Sequence, residues 1–337
     1  MESTGTATRN ARGEWRPAAP IALPPTIAWP PRPRAIARWL LGFPGYLWPM
    51  NALWLAITLA SWAWLTPGLA TMKEFEAGWI AAILLRNLAL VALLFGGLHA
   101  YFHVLRRQGD ELRFSTQPFA TGSRRFLLGD QVRDNALRTL CVGVPTITAW
   151  EAVTWWLFAN GHVGVVGPET GPVAFWAWFA FLLLAAPVIH AVHFYFVHRL
   201  LHWKPLYRTV HNVHHLNVEV GPWSGLAMHP VEQVLYFSTV VVQWLLALHP
   251  VNALFQIHVA AFSPALGHSG FEKLLVGRGI GVDSGNYFHY LHHKYFECNY
   301  GGSLAPLDKL FGTFHDGSPE AQARMRERMR ARHGAGD

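Results

Sequence analysis

Residues 172–202 read PVAFWAWFAFLLLAAPVIHAVHFYFVHRLLH. The segment 172–196 is longer than the roughly 20 apolar residues a helix needs to cross a bilayer. It runs directly into His198 and His202, which are spaced i, i+4. On a helix that spacing sets both imidazoles on one face, a turn apart, where they can hold one metal ion. One segment therefore joins a membrane span to a candidate metal-ligand pair.

More histidines follow at similar spacings. HNVHH places His211, His214 and His215 as HxxHH, and HYLHH repeats the pattern with His289, His292 and His293. Eight imidazoles exceed the needs of one tetrahedral ion and suit two ions. Imidazole binds iron, zinc and copper alike. The absence of a cysteine ligand pair argues against structural zinc. An isolated histidine near a membrane surface is ordinarily a hydrogen-bonded side chain, and His162, His315 and His333 are read that way. His99 and His103 in HAYFH repeat the HxxxH spacing and are assigned no chemistry.

Composition supports a membrane setting. The 337 residues are 52% hydrophobic and 14% charged, whereas soluble domains average about 25% charged. The net charge is +7, but arginine collects between apolar stretches, so nucleic acid is not an expected partner. Cys141 and Cys298 form no disulfide framework and no CxxC site. The expected fold is all-α, a multi-span helical membrane bundle with a cytoplasmic, histidine-rich metal-binding cap. Spans are expected at 46–65, at 78–102 despite Arg86 and Asn87, at 139–159 despite Pro145 and Glu151, and at 172–196. Residues 231–266 should form a hairpin that dips into the membrane, divided at His249-Pro250. The loop 106–138 is rich in arginine and the loop 160–171 has no Lys or Arg. Basic loops stay cytoplasmic, which puts the N-terminus, the histidine clusters and the C-terminus on that side. The N-terminus does not read as a secretory signal. The expected organisation is a disordered Pro/Arg-rich tail over 1–42, membrane spans with a basic loop over 43–171, a catalytic domain over 172–315 and a basic tail over 316–337.

The order HxxxH, HxxHH, HxxHH resembles the fatty acid hydroxylase and sterol desaturase superfamily of integral-membrane di-iron oxygenases. FYFVHRLLH (194–202) is similar to the aromatic run before that family's first box. HHLNVEVGPWSGLAMHPVE (214–232) resembles the stretch leading to its HPxE element, GHSGFE (267–272) its HSG element, and HHKYFECNYGGSLAPLDKLFGT (292–313) the end of its third box. Where the family often has Trp-Asp, this chain has Leu307-Asp308. The resemblance covers roughly residues 172–315. It implies that His198, His202, His211, His214, His215, His289, His292 and His293 ligate two iron ions, for which zinc can substitute, with His268 as a ninth ligand. His229 stands evenly between a tenth ligand and a loop brace, and His193 and His258 rank below it. The implied activity is hydroxylation or desaturation of a membrane lipid of sterol or fatty-acyl type. Dioxygen is the implied co-substrate, and a separate reductase the implied electron donor, because the chain has no haem, flavin or nicotinamide fingerprint of its own. Asn212, Asn217, Glu232, Asn286, Asn299 and Asp308 are candidates to orient ligating rings.

Two other functions fit a histidine-rich membrane chain. A metal-binding or transport protein would place its ligands near the bilayer midplane, whereas these clusters sit at the membrane edge. A zinc-dependent hydrolase would need a motif such as HExxH, and none is present.

Overall fold

The computed structural model describes residues 8–10, 13–277, 280–284, 287–302 and 304–334. Two short strands, β1 (Thr8–Arg9) and β2 (Trp15–Arg16), pair antiparallel before the first helix. The N-terminal helices are α1 (Pro33–Leu41), α2 (Ala52–Trp64), α3 (Ala77–His99), α4 (Gln131–Arg138) and α5 (Val144–Ala159). Then come α6 (Pro172–Leu201), α7 (Lys204–Leu206), α8 (Asn212–His215), α9 (Pro230–Phe237), α10 (Val241–Trp244) and α11 (Pro250–Gly267). The hairpin of β3 (Lys273–Leu275) and β4 (Gly281–Asp283) precedes α12 (Tyr287–Tyr295), α13 (Leu307–Leu310) and α14 (Pro319–Gly334).

Helix α11 is the axis of the fold. Val251 through Phe262 are all buried, as expected of a helix that is apolar on every side. It packs against α2, α3, α5 and α6. Residues 231–266 are thus the two short helices α9 and α10 followed by one central helix.

Among the described residues, two helices are long and apolar enough to cross a membrane: residues Ala77–Val104, which continue α3 through one π-helical turn, and Pro172–Leu201, which are α6. The other expected spans contain shorter helices. Helix α2 has 13 residues and follows a kink at Trp48. Helix α5 has 16, but a π-helical turn at Thr139–Gly143 carries helical backbone into it from α4.

Arg86 of α3 and Glu151 of α5, which weaken two of the spans in sequence, meet in a buried ion pair. Arg86 Nη1 also donates to Thr66 Oγ1 at 2.8 Å, and Trp155 Nε1 donates to Glu151 Oε1 at 2.9 Å. Asn87 Nδ2 donates to Glu151 Oε2 at 3.1 Å and to Thr148 Oγ1 at 3.2 Å. Polar groups that are costly one at a time are thus satisfied together.

Both terminal segments pack where they are described. Trp15 is buried against Phe114 and Tyr287, and its amide donates to the Phe114 carbonyl at 2.8 Å. The Ile21 amide donates to Asp316 O at 2.9 Å. In α14, Ala321 and Met325 are buried. Within the segment expected to be a tail, Trp15 and Ile21 thus pack against the cluster that includes α12, whereas Ile27, Trp29 and Leu41 are exposed.

Candidate metal centre

Helix α6 carries the metal-ligand pair beyond its apolar length. His198 lies in its last turn and His202 caps its C-terminus. A π-helical turn, Tyr207–His211, leads into α8, and the two carry His211, His214 and His215. His268 caps the C-terminus of α11 and is followed by Gly270 at φ +82°. Helix α12 brings His289, His292 and His293.

These nine side chains fall into two groups. His198, His202, His211, His215 and His292 form one; His214, His268, His289 and His293 form the other, and the ligand atoms within each group lie within 4.8 Å of one another. All nine rings are buried except those of His202 and His289, which are partly so.

The spacing of the nitrogens suits an ion better than it suits hydrogen bonds. In the first group, His198 Nε2 lies 3.0 Å from His211 Nε2, His202 Nε2 lies 3.2 Å from those of His215 and His292, and the latter two are 3.1 Å apart. In the second, His268 Nε2 lies 3.0, 3.3 and 3.4 Å from those of His289, His293 and His214. Ligand nitrogens about 2.1 Å from one ion are separated by about 3.0 Å at right angles and about 3.4 Å at tetrahedral angles.

The tautomers decide between the two. His198 Nδ1 donates to the Tyr300 carbonyl at 2.5 Å and His292 Nδ1 to the Cys298 carbonyl at 2.7 Å, and His211 Nδ1 lies 2.8 Å from Glu232 Oε1. The two carbonyls accept only, so His198 and His292 carry their protons on Nδ1 and a bare lone pair on Nε2; the Glu232 carboxyl, whose pKa burial pushes up to about 8, holds the His211 ring from the same side. Burial lowers the pKa of His211 and of His292 to about 3 and that of His214 to about 4. Burial and then the neighbouring rings lower His202, His215, His268, His289 and His293 as well. Neutral imidazoles with facing lone pairs repel one another unless a cation lies between them. The donor set therefore fits metal, which requires deprotonated ligands.

Among the five described candidate orienting residues, Glu232 is the one that meets a grouped ring nitrogen. Asp308 accepts instead from the Tyr300 and Gly301 amides, at 2.9 and 2.7 Å, and so holds the turn whose carbonyl receives His198. A Cβ at Gly301 would lie 3.1 Å from Asp308 Oδ2, so a larger residue would crowd this support. Asn299, at φ +53°, ties Phe288 O and His315 O together. Asn217 Nδ2 donates to the His214 carbonyl at 3.2 Å. Asn212 is exposed, and Asn286 lies outside the described residues. The Tyr300 and Cys298 carbonyls escaped sequence reading because a main-chain acceptor leaves no side-chain signature.

The remaining histidines sit elsewhere. His229 caps α9, its Nδ1 accepting from the Val231 amide at 3.2 Å, and belongs to neither group. His193 Nε2 is 2.9 Å from Ser238 Oγ, and His258 Nδ1 is 2.8 Å from Thr58 Oγ1. His99 and His103 stack with ring centroids 5.3 Å apart, and His103 Nε2 donates to Ser269 O at 2.9 Å.

The fatty acid hydroxylase family model matches residues 182–313. A Delta(7)-sterol-C5(6)-desaturase of Nicotiana tabacum is 28% identical over 210 residues, which cover 60% of this chain and 72% of that protein. A Delta(7)-sterol 5(6)-desaturase of Gibberella zeae is 29% identical over 43% of this chain and 45% of its own length. A methylsterol monooxygenase of Aspergillus fumigatus is 31% identical over 41% of this chain and 48% of its own. The chain thus spans about half the length of the latter two. No solved structure matches it. The matched region holds all nine grouped histidines, and over it this chain is similar to the fatty acid hydroxylase family and to sterol desaturases and methylsterol monooxygenases.

Proposed function

We propose that this protein is a membrane-bound di-iron oxygenase that hydroxylates or desaturates a sterol-type lipid, with dioxygen as co-substrate and electrons from a separate reductase. The observation that carries the reading is the pair of Nε2 clusters, five and four nitrogens, with the lone pairs of His198 and His292 turned inward. His198, His202, His211, His215 and His292 would hold one ion, and His214, His268, His289 and His293 the other. When bound, two irons supply the redox equivalents and open coordination positions that dioxygen chemistry needs. The Tyr300 and Cys298 carbonyls keep the Nδ1 protons of His198 and His292 in place, and Glu232 fixes the orientation of His211. Burial of the rings excludes water from the reacting centre. Because α6 runs from an apolar span into the first group, a lipid can reach the centre without leaving the bilayer.

The transport reading is disfavoured by position, since His198 and His202 lie at the C-terminal end of α6, beyond its most apolar part. The proposed orientation puts the N-terminus, the 106–138 loop and both histidine groups in the cytoplasm. Reporter fusions at residues 120 and 165 should give opposite signals; equal signals would remove this orientation. The function itself is tested by mass spectrometry of membrane lipids with and without the gene. The expected result is loss of one hydroxylated or desaturated lipid and accumulation of its reduced precursor. An unchanged lipid profile under aerobic growth would count against the proposal.

A further inference from the structure

A stripe of aromatic side chains leads along α6 toward the metal centre. His190, Phe194, His198 and His202 recur every four residues, so they share one face of the helix. Phe194 stacks on His198 of the first group at 4.8 Å between ring centroids and lies 6.3 Å from His289 of the second. It also stands 5.8 Å from Tyr236, and His190 stands 5.3 Å from Tyr236. Phe194 therefore lies against both groups, and His190 with Tyr236 forms the next layer along α6.

The hydrogen bonds of that layer are incomplete. Tyr236 has one hydroxyl proton and donates it to the Ala260 carbonyl at 2.9 Å. Its oxygen is then free to accept, and His190 Nε2 lies 3.2 Å away. The proton of His190 is thus on Nε2, and Nδ1 carries a lone pair. That Nδ1 is buried and has no hydrogen-bond partner. A buried acceptor without a donor is costly, and here it occurs one helical turn before Phe194 on the same face of α6.

We infer that His190 Nδ1 accepts the hydroxyl proton of the lipid substrate, so that the substrate is an alcohol and His190 a specificity-determining residue. Tyr236 is the positioning residue that holds the ring in the accepting tautomer. The inference takes the lipid nature of the ligand from the proposed oxygenase function. An acyl chain without a hydroxyl leaves the acceptor unpaired.

The test is binding of a 3-hydroxy Δ7-sterol and of its 3-deoxy analogue to the full-length protein in nanodiscs, with metal content measured alongside. The wild-type chain should prefer the alcohol about tenfold, the effect of one hydrogen bond. His190→Phe should bind the two equally, with the 3-deoxy affinity and the metal content unchanged. His190→Asn, which offers an amide oxygen close to the position of Nδ1, should recover part of the preference. Three results would overturn the inference: no preference in the wild type, equal weakening of both ligands in His190→Phe, or retention of the preference in that variant, as when a bound water fills the site. A protein that shows the preference but never oxidises the alcohol would contradict the oxygenase function and leave this contact standing.

Discussion

His214→Gln in the full-length protein is expected to insert and fold as the wild type does, to lose metal, and to fall in turnover by more than about 100-fold. The second group has four rings, so removing His214 leaves three nitrogens, two of them His289 and His293 from one turn of α12. Glutamine keeps bulk and polarity but ligates poorly, so the effect isolates coordination. The bundle should survive, because packing in the membrane interior holds it and the metal does not. The same outcome is expected for His198, His202, His211, His215, His289, His292 and His293. His99→Gln provides the contrast: its ring stacks on His103, away from both groups, and metal content should be unchanged. His315→Gln should also keep near-normal activity, since its ring bonds to Gln322 and the Gly317 amide. An active His214→Gln protein would break the two-ion assignment. Unfolding of all eight ligand variants would mean that these histidines only hold the cap together.

Arg86→Met is expected to destabilise the bundle by about 3–5 kcal/mol, the usual cost of leaving one partner of a buried ion pair alone. Arg86 and Glu151 are buried on neighbouring helices, with side-chain exposures of 3% and 0%. The single replacement strands the carboxylate of Glu151 with only Asn87 and Trp155 as donors. The double variant Arg86→Met/Glu151→Met removes both charges and should recover most of the loss. Thermal unfolding in one detergent, compared across the wild type, both single variants and the double, reads the effect. Single variants as stable as the wild type would show that the pair contributes nothing.

Much of this could be read from the sequence because the signals are local. An i, i+4 pair at the end of a long apolar run yields both α6 and the placement of His198 and His202. The two HxxHH repeats each lie on a short helical stretch. What could not be read depends on long-range contact. The division of the nine rings into groups of five and four does not follow the motifs: His214 and His215 are adjacent in sequence but enter different groups, as do His292 and His293. Neighbouring residues on a helix point about 100° apart, so each box supplies both groups. His268 comes from the end of a helix that has no histidine spacing, and only family resemblance suggested it. Asp308 was one of the candidates to orient a ligand ring, and it acts one step away, through the Tyr300 turn. Arg86 and Glu151 weakened two helices separately in sequence and support each other in the fold. The Pro/Arg-rich start gave no sign of the surface on α12 that Trp15 covers.

The central claim is that nine inward-facing imidazoles hold two ions. Metal content of the full-length protein, purified anaerobically and reconstituted with ferrous iron, tests it most directly. The account predicts about two irons per chain in the wild type and about one in His214→Gln and in His211→Gln, each variant emptying its own group. A single tightly held zinc per chain that neither variant removes would contradict it.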